Sequence, residues 1–96
     1  MAVGDVVADC SAAVADAASA TIQPGVGVEW VIHNIDFEDL VEIYRTDGVS
    51  SILIHSSVAD ETEYPCARHL TNGDYLTVKN VSGGAIDICW DGVVTG

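Results

Sequence analysis

The sequence predicts a small antiparallel β-sandwich or jelly-roll-like barrel that follows an N-terminal arm. Short runs of β-branched and aromatic residues recur about every ten residues, which is typical of all-β domains. Tight-turn dipeptides such as Asp47-Gly48 and Asn72-Gly73 separate these runs and favour hairpins. No segment between the runs fits the crossover helix that usually joins parallel strands. We therefore expect one domain of roughly six to eight antiparallel strands.

The best-defined predicted strand covers residues 28–35. Apolar side chains, including Trp30, occupy every second position there, and turn-forming residues flank the run on both sides. We place Trp30 in the core and expect Phe37 to point inward from the connection that follows. The other strands are predicted at residues 40–46, 51–56, 66–70, 74–81 and 85–90. Asp91-Gly92 is expected to end the last of them.

The N-terminal arm is predicted at residues 1–20, ahead of an antiparallel β-domain at residues 21–96. Two structures remain open for this alanine-rich segment. Asp5 could cap a short helix over residues 6–18. The segment lacks an i,i+4 Glu–Lys pair and contains several Ser and Asp residues, which favours an extended arm that becomes a strand near residues 19–22.

The charge balance excludes two classes of partner. The chain has 15 acidic residues against three basic ones, for a formal net charge of −12. Nucleic acids and anionic membranes are bound through several Lys or Arg contacts, so we expect neither as a partner. The acidity serves solubility, or forms a surface for a basic partner or divalent ions. Without a run of about 20 apolar residues or a basic leader, we expect neither a membrane span nor a signal peptide.

The three cysteines are odd in number and form no C-x-x-C motif. We expect Cys10, Cys66 and Cys89 to be free, buried thiols that pack as small hydrophobes. One disulfide, for which Cys66 and Cys89 are the candidate pair, remains the alternative.

No catalytic or metal-binding pattern is evident in the sequence. His33, His55 and His69 do not fall at close ligand spacing. Cys66 and His69 are three residues apart, so alternation along a strand places them on opposite faces, which works against a nucleophile–base pair. We therefore expect neither an enzyme nor a bound cofactor.

The longest polar segment, residues 57–65, is predicted to be an exposed loop. Its candidate recognition residues are Asp60, Glu61, Glu63 and Tyr64. The acidic groups could hold calcium, but the D-x-D-x-D-G pattern of a calcium loop is missing, so solvated charge is the default interpretation. Exposed aromatic residues could also serve as sugar platforms; the candidates are Tyr44, Tyr64, Tyr75 and whichever tryptophan is not buried, although core packing or interface burial explains these residues at least as well.

Three runs of the sequence resemble small virion proteins of tailed bacteriophages. These runs are TIQPGVGVEWVIHNI (21–35), VEIYRTDGVSSILI (41–54) and YLTVKNVSGGAIDICWDGVVTG (75–96). The shared motifs are I-Q-P at 22–24, W-V-I-H-N-I at 30–35, Y-x-x-D-G at 44–48, Y-L-x-V-K-N at 75–80 and an aromatic-Asp-Gly-Val at 90–93. The acidity, the three cysteines and the arm depart from the family's pattern.

The resemblance implies a non-enzymatic virion structural protein, in particular a capsid decoration or cement protein. Such a protein is made in the host cytoplasm and lies on the capsid surface. Its partners would be the major capsid protein and copies of itself, with a trimer favoured. The arm valines have no obvious place in so small a core, so we expect Val3, Val6, Val7 and Val14 to contact neighbouring subunits. The alternative is a carbohydrate- or receptor-binding module of a phage fibre or tail.

Overall fold

The computed structural model describes residues 2–96 and confirms the all-β prediction. Eight strands form in this part of the chain, and it contains no helix. The strands follow the β-branched and aromatic runs, because such side chains pack well on a pleated surface. They are β1 (Val6–Val14), β2 (Ser19–Ile22), β3 (Trp30–Phe37), β4 (Val41–Thr46), β5 (Ser51–Ser56), β6 (Glu63–Leu70), β7 (Tyr75–Asn80) and β8 (Ile86–Val94).

The strands form two antiparallel four-stranded sheets. The first sheet has the order β1-β8-β3-β6 and the second has the order β2-β7-β4-β5. Each strand of the first half of the chain pairs with its counterpart from the second half: β4 with β5, β3 with β6, β2 with β7 and β1 with β8. The chain is therefore one long hairpin rolled into a sandwich, which is the jelly-roll arrangement.

The core lies between the two sheets and is filled by alternate residues of the strands. Trp30 and Trp90 are both buried there, with ring centroids 5.2 Å apart and planes inclined at 32°. Phe37 is also buried, which confirms its predicted inward direction. Among the largest fully buried side chains are those of Ile22, Ile32, Ile35, Ile43, Leu70, Leu76 and Ile88.

The N-terminal segment belongs to the sandwich and does not extend from it as a separate arm. β1 pairs with β8 as an edge strand of the first sheet, and β2 pairs with β7 in the second. The segment is extended, as favoured, and the helical alternative is not adopted. Tertiary pairing decides this outcome, because β1 pairs with β8, and the register shift between Ser11 and Val14 lets both Val7 and Val14 face the core.

A disulfide bond joins Cys10 of β1 to Cys89 of β8. The expectation of free thiols is therefore wrong for these two residues, and so is the alternative pairing of Cys66 with Cys89. The two residues oppose each other in the β1–β8 register, with Cα atoms 4.0 Å apart. Cys66 remains free, and its thiol donates a hydrogen bond to the carbonyl of Ile32 at 3.3 Å.

β8 runs past the predicted stop at Asp91-Gly92 and continues to Val94. The register of β3 shifts between Ile32 and Asn34, which is a β-bulge facing β8. At this bulge the backbone of β3 comes so close that a Cβ on Gly92 would lie 2.9 Å from the Cα of Ile32. Gly92 therefore permits a close approach of two strands and does not form a turn.

Candidate interaction surface

The four valines predicted to contact neighbouring subunits divide into two pairs. Val3 and Val6 are 72% and 78% exposed. Val7 and Val14 differ from the expectation, because both point into the core of their own chain and are buried. A subunit contact through the N-terminal segment therefore stays a prediction for Val3 and Val6 alone.

The predicted recognition loop is shorter than expected, because β6 already begins at Glu63. Asp60 and Glu63 are exposed. Glu61 lies 2.6 Å from the ring Nε2 of His55, and the ring of Tyr64 stacks on the same histidine with centroids 4.5 Å apart. Glu61 and Tyr64 thus contact His55 within the chain, and of the four predicted residues Asp60 in the loop and Glu63 at the start of β6 are the exposed ones.

The other candidate groups are also separated by the fold. Cys66 points towards the core side, and burial raises the pKa of its thiol. The ring Nε2 of His69 lies 2.7 Å from the carboxylate of Glu29, away from Cys66. His33 is exposed at the β3 bulge. Within residues 2–96 there is no group of three or more His, Cys, Asp or Glu residues placed to hold a metal ion.

The outer face of the first sheet is anionic. The strands of this sheet contain five carboxylates, and four of them alternate with buried residues and so lie on the outer face: Asp36, Glu63, Asp87 and Asp91. Asp36 is opposite Glu63 in the register. Burial, together with the charges of Glu63 and Asp91, raises the pKa of Asp36. The side-chain amide of Asn34 donates long hydrogen bonds of 3.3 and 3.4 Å to Asp36 and Glu63.

The outer face of the second sheet is almost uncharged. Its four strands contain one carboxylate, Glu42, which is opposite Lys79 in the register. The hydroxyl of Tyr44 donates a hydrogen bond to Glu42 at 2.9 Å, and this bond raises the pKa of the phenol. A row of neighbouring residues, Thr21, Thr77, Tyr44 and Leu53, crosses the sheet from β2 to β5. We refer to this surface as the neutral face.

The basic residues do not neutralise the anionic face. Arg45 donates from Nε to Asp74 at 2.9 Å and thereby lowers the pKa of that carboxyl. Arg68, which is opposite buried Ile32, donates to the hydroxyl of Tyr64 at 3.3 Å. The third cation, Lys79, belongs to β7 in the second sheet. The two broad faces of the sandwich therefore differ strongly in charge.

The clefts of the sandwich are lined by these same surface groups. One lies beside the β4–β5 hairpin, between Arg45, Ile52 and Asp74. Another lies beside the disulfide, between Cys89 and Asp91. Neither of these two clefts brings together a nucleophile and a base. In the described part of the chain, no helix is long and apolar enough to cross a membrane.

The chain matches no protein-family model and no curated protein.

The difference between the two faces was not predicted from the sequence. A signal for it is nonetheless present in the sequence, because carboxylates occur once in the strands of one sheet and five times in those of the other. This signal becomes interpretable only when the strands of each sheet are known, since consecutive strands alternate between the two sheets except at β4 and β5.

Proposed function

We propose that the protein is a non-enzymatic virion structural protein, specifically a capsid decoration protein that binds the outer surface of the capsid. The neutral face is the observation that carries this proposal. In a chain with a net charge of −12, it offers a broad surface with few charges to desolvate and no net repulsion at its centre. Such a surface suits another large protein surface better than a small ligand, which binds in a concave pocket.

The anionic face complements this role. If the neutral face binds the capsid, then Asp36, Glu63 and Asp91 point towards solvent. Exposed negative charge keeps decorated particles soluble and apart from one another. The partners in this proposal are the major capsid protein and further copies of this chain. Weak contacts repeated over a capsid lattice add up to stable attachment.

Purified virions from the culture that makes the protein provide the first test. Mass spectrometry and electron cryo-microscopy should find it in stoichiometric copies on the outer surface of the shell. Recovery of the protein only from the cell lysate, with none in the particles, would contradict the proposal.

A pair of matched variants tests the surface that binds. Thr77→Glu places a charge at the centre of the neutral face, and Val31→Glu places the same charge on the outer face of the first sheet. Both positions are half-buried in inner strands. In cosedimentation with particles that lack the protein, Thr77→Glu should lose binding and Val31→Glu should keep it. If Val31→Glu lost binding and Thr77→Glu kept it, the capsid contact would lie on the anionic face instead.

A second candidate function is a carbohydrate- or receptor-binding module of a phage fibre or tail. Tyr44 and Tyr75 favour it, because Tyr44 is opposite Thr77 and Tyr75 is opposite Thr46, which places the two rings diagonally on the neutral face. Two aromatic rings beside hydroxyl groups form a surface on which a sugar can stack. Glycan-array binding that is lost in Tyr44→Ala and Tyr75→Ala, but kept in the Tyr64→Ala control, would support this function.

A further inference from the structure

The four edge strands of the sandwich are not equally protected against pairing with another chain. β6 contains Pro65, which has no N–H to donate to an added strand. β2 has only four residues and is soon followed by buried Pro24. The register of β1 with β8 shifts after Ser11, and Ala13 in this stretch has a left-handed backbone conformation, with a φ of 50°. Three of the four edges thus carry features that hinder strand addition.

β5 is less protected than the other three edges. Its six residues contain no proline, and within residues 2–96 it pairs with β4 alone. Its one register irregularity falls at Ile54, so residues 51–53 form a regular ladder with β4. An edge of this kind presents unpaired backbone N–H and C=O groups and acts as a template for a further strand.

The same edge exposes apolar side chains. Val49 is 94% exposed in the β4–β5 turn, and Ile52 and Leu53 in β5 are 67% and 46% exposed. Exposed β-branched and leucine side chains along an unpaired edge are costly in water and favour association.

The charge pattern favours a second copy of this chain as the occupant of this edge. Residues 48–59 contain no Asp, Glu, Lys or Arg, although the whole chain has a net charge of −12. In a two-fold pairing each strand faces its own copy, so any charge near the axis would face a like charge. A basic partner would instead be drawn to the anionic face. Glu61 reaches β5 only at His55, so the segment 48–54 of this acidic chain has no charged side chain, which fits self-association there.

We propose that β5 is a self-association edge, at which two copies pair antiparallel through the regular segment 51–53 about a two-fold axis beside Leu53. The pairing joins the two second sheets into one continuous eight-stranded sheet. This inference does not depend on the proposed function. Its two-fold symmetry replaces the trimer that the sequence resemblance implies.

Analytical ultracentrifugation of the intact protein tests the pairing. The wild-type chain should form a dimer, and Leu53→Lys should raise its dissociation constant at least about ten-fold, because two lysines then meet at the axis. Thr21→Lys is the matched control, since Thr21 lies in the same row of the same sheet but at the β2 edge. Both variants lower the net negative charge equally, so a difference between them cannot come from overall repulsion.

Charge complementation then tests the two-fold axis. Leu53→Lys and Leu53→Glu should each be largely monomeric, and mixing them should give a heterodimer by native mass spectrometry. Circular dichroism verifies that each variant is folded, and a mixture of Thr21→Lys with Thr21→Glu shows the effect of charge alone. A monomeric or trimeric wild-type protein, a Leu53→Lys variant that dimerises as tightly as wild type, or a mixture without heterodimer would overturn the proposal.

Discussion

The side-chain amide of Asn80 donates a hydrogen bond to the carbonyl oxygen of Val14, 2.8 Å away, and so joins the end of β7 to the end of β1. The same amide donates to the carbonyl of Gly84 at 2.6 Å. Its oxygen accepts from the backbone N–H and the hydroxyl of Ser82 at 2.9 and 2.7 Å. Asn80 is fully buried, and both its donor and its acceptor groups have partners.

We expect Asn80→Asp to lower the free energy of unfolding by at least about 2 kcal/mol, because the carboxylate offers no donor to two buried carbonyls and repels them. Asn72→Asp is the control, since Asn72 is half-buried and its amide donates one hydrogen bond, to the carbonyl of Pro24. Urea denaturation measures both variants. Equal losses would show that the buried network adds nothing beyond a single bond.

Gly92→Ala should destabilise the protein by roughly 2–4 kcal/mol, because the added methyl group meets the backbone of β3 at Val31 and Ile32 and a strand cannot move aside cheaply. Gly84→Ala is the control, since its Cβ would meet nothing within 4 Å. Thermal denaturation followed by circular dichroism compares them. An unchanged midpoint for Gly92→Ala would mean that the close approach of the two strands is not needed.

Removal of the disulfide in a Cys10→Ser, Cys89→Ser double variant should lower the free energy of unfolding by roughly 2–4 kcal/mol, since the bond closes a long loop in the unfolded chain. Cys66→Ser should change it by less. Thiol titration of the unfolded wild-type protein, without reductant, should find one free thiol per chain. Three free thiols in freshly purified protein would show that the bond does not form.

Two aspartates should affect the pH dependence of stability in opposite directions. The folded-state pKa of Asp36 is raised, so its ionisation opposes folding once the pH exceeds the unfolded value of 3.8. Asp36→Asn should therefore raise the unfolding midpoint at pH 7, and this gain should disappear as the pH falls towards 3.8.

The pKa of Asp47 is lowered in the folded protein, so its ionisation stabilises the fold. Backbone N–H groups of Ser50 and Val49 donate to its carboxylate at 2.7 and 2.9 Å and lower its pKa. Its stabilising effect is thus present above the unfolded pKa and is lost as the pH falls through the folded value. Asp47→Asn should lower the unfolding midpoint at pH 7 and have no effect at strongly acidic pH. Midpoints that shift in the same direction for both variants would contradict these assignments.

The predicted strands at residues 51–56 and 74–81 agree closely with β5 and β7, because local alternation and flanking turn residues act in the same direction there. The fold class follows from that agreement. The predicted end of the last strand at residue 90 is wrong. Asp-Gly is typical of a turn, but Gly92 lies within β8 and allows close contact with the backbone of β3. Alternation within β8 cannot reveal a bulge in β3.

The disulfide and the neutral face were not predicted, because they too depend on contacts between strands that are distant in the sequence. Cys10 and Cys89 are 79 residues apart, and only the pairing of β1 with β8 brings them together. Thr77 and Tyr44 likewise become neighbours through the pairing of β7 with β4. Residue spacing along the chain carries little information about such long-range pairs.

The nested pairing of the strands also bears on the order in which the chain folds. β4 and β5 are joined by a tight turn, so they meet at the lowest cost in chain entropy, and each outer pair must close a longer loop. We expect strand pairing to spread from this hairpin outwards, through β3 with β6 and β2 with β7, to β1 with β8. Cys10 and Cys89 then come together in the final step, so we expect the disulfide bond to form only after the other strands of the sandwich have paired.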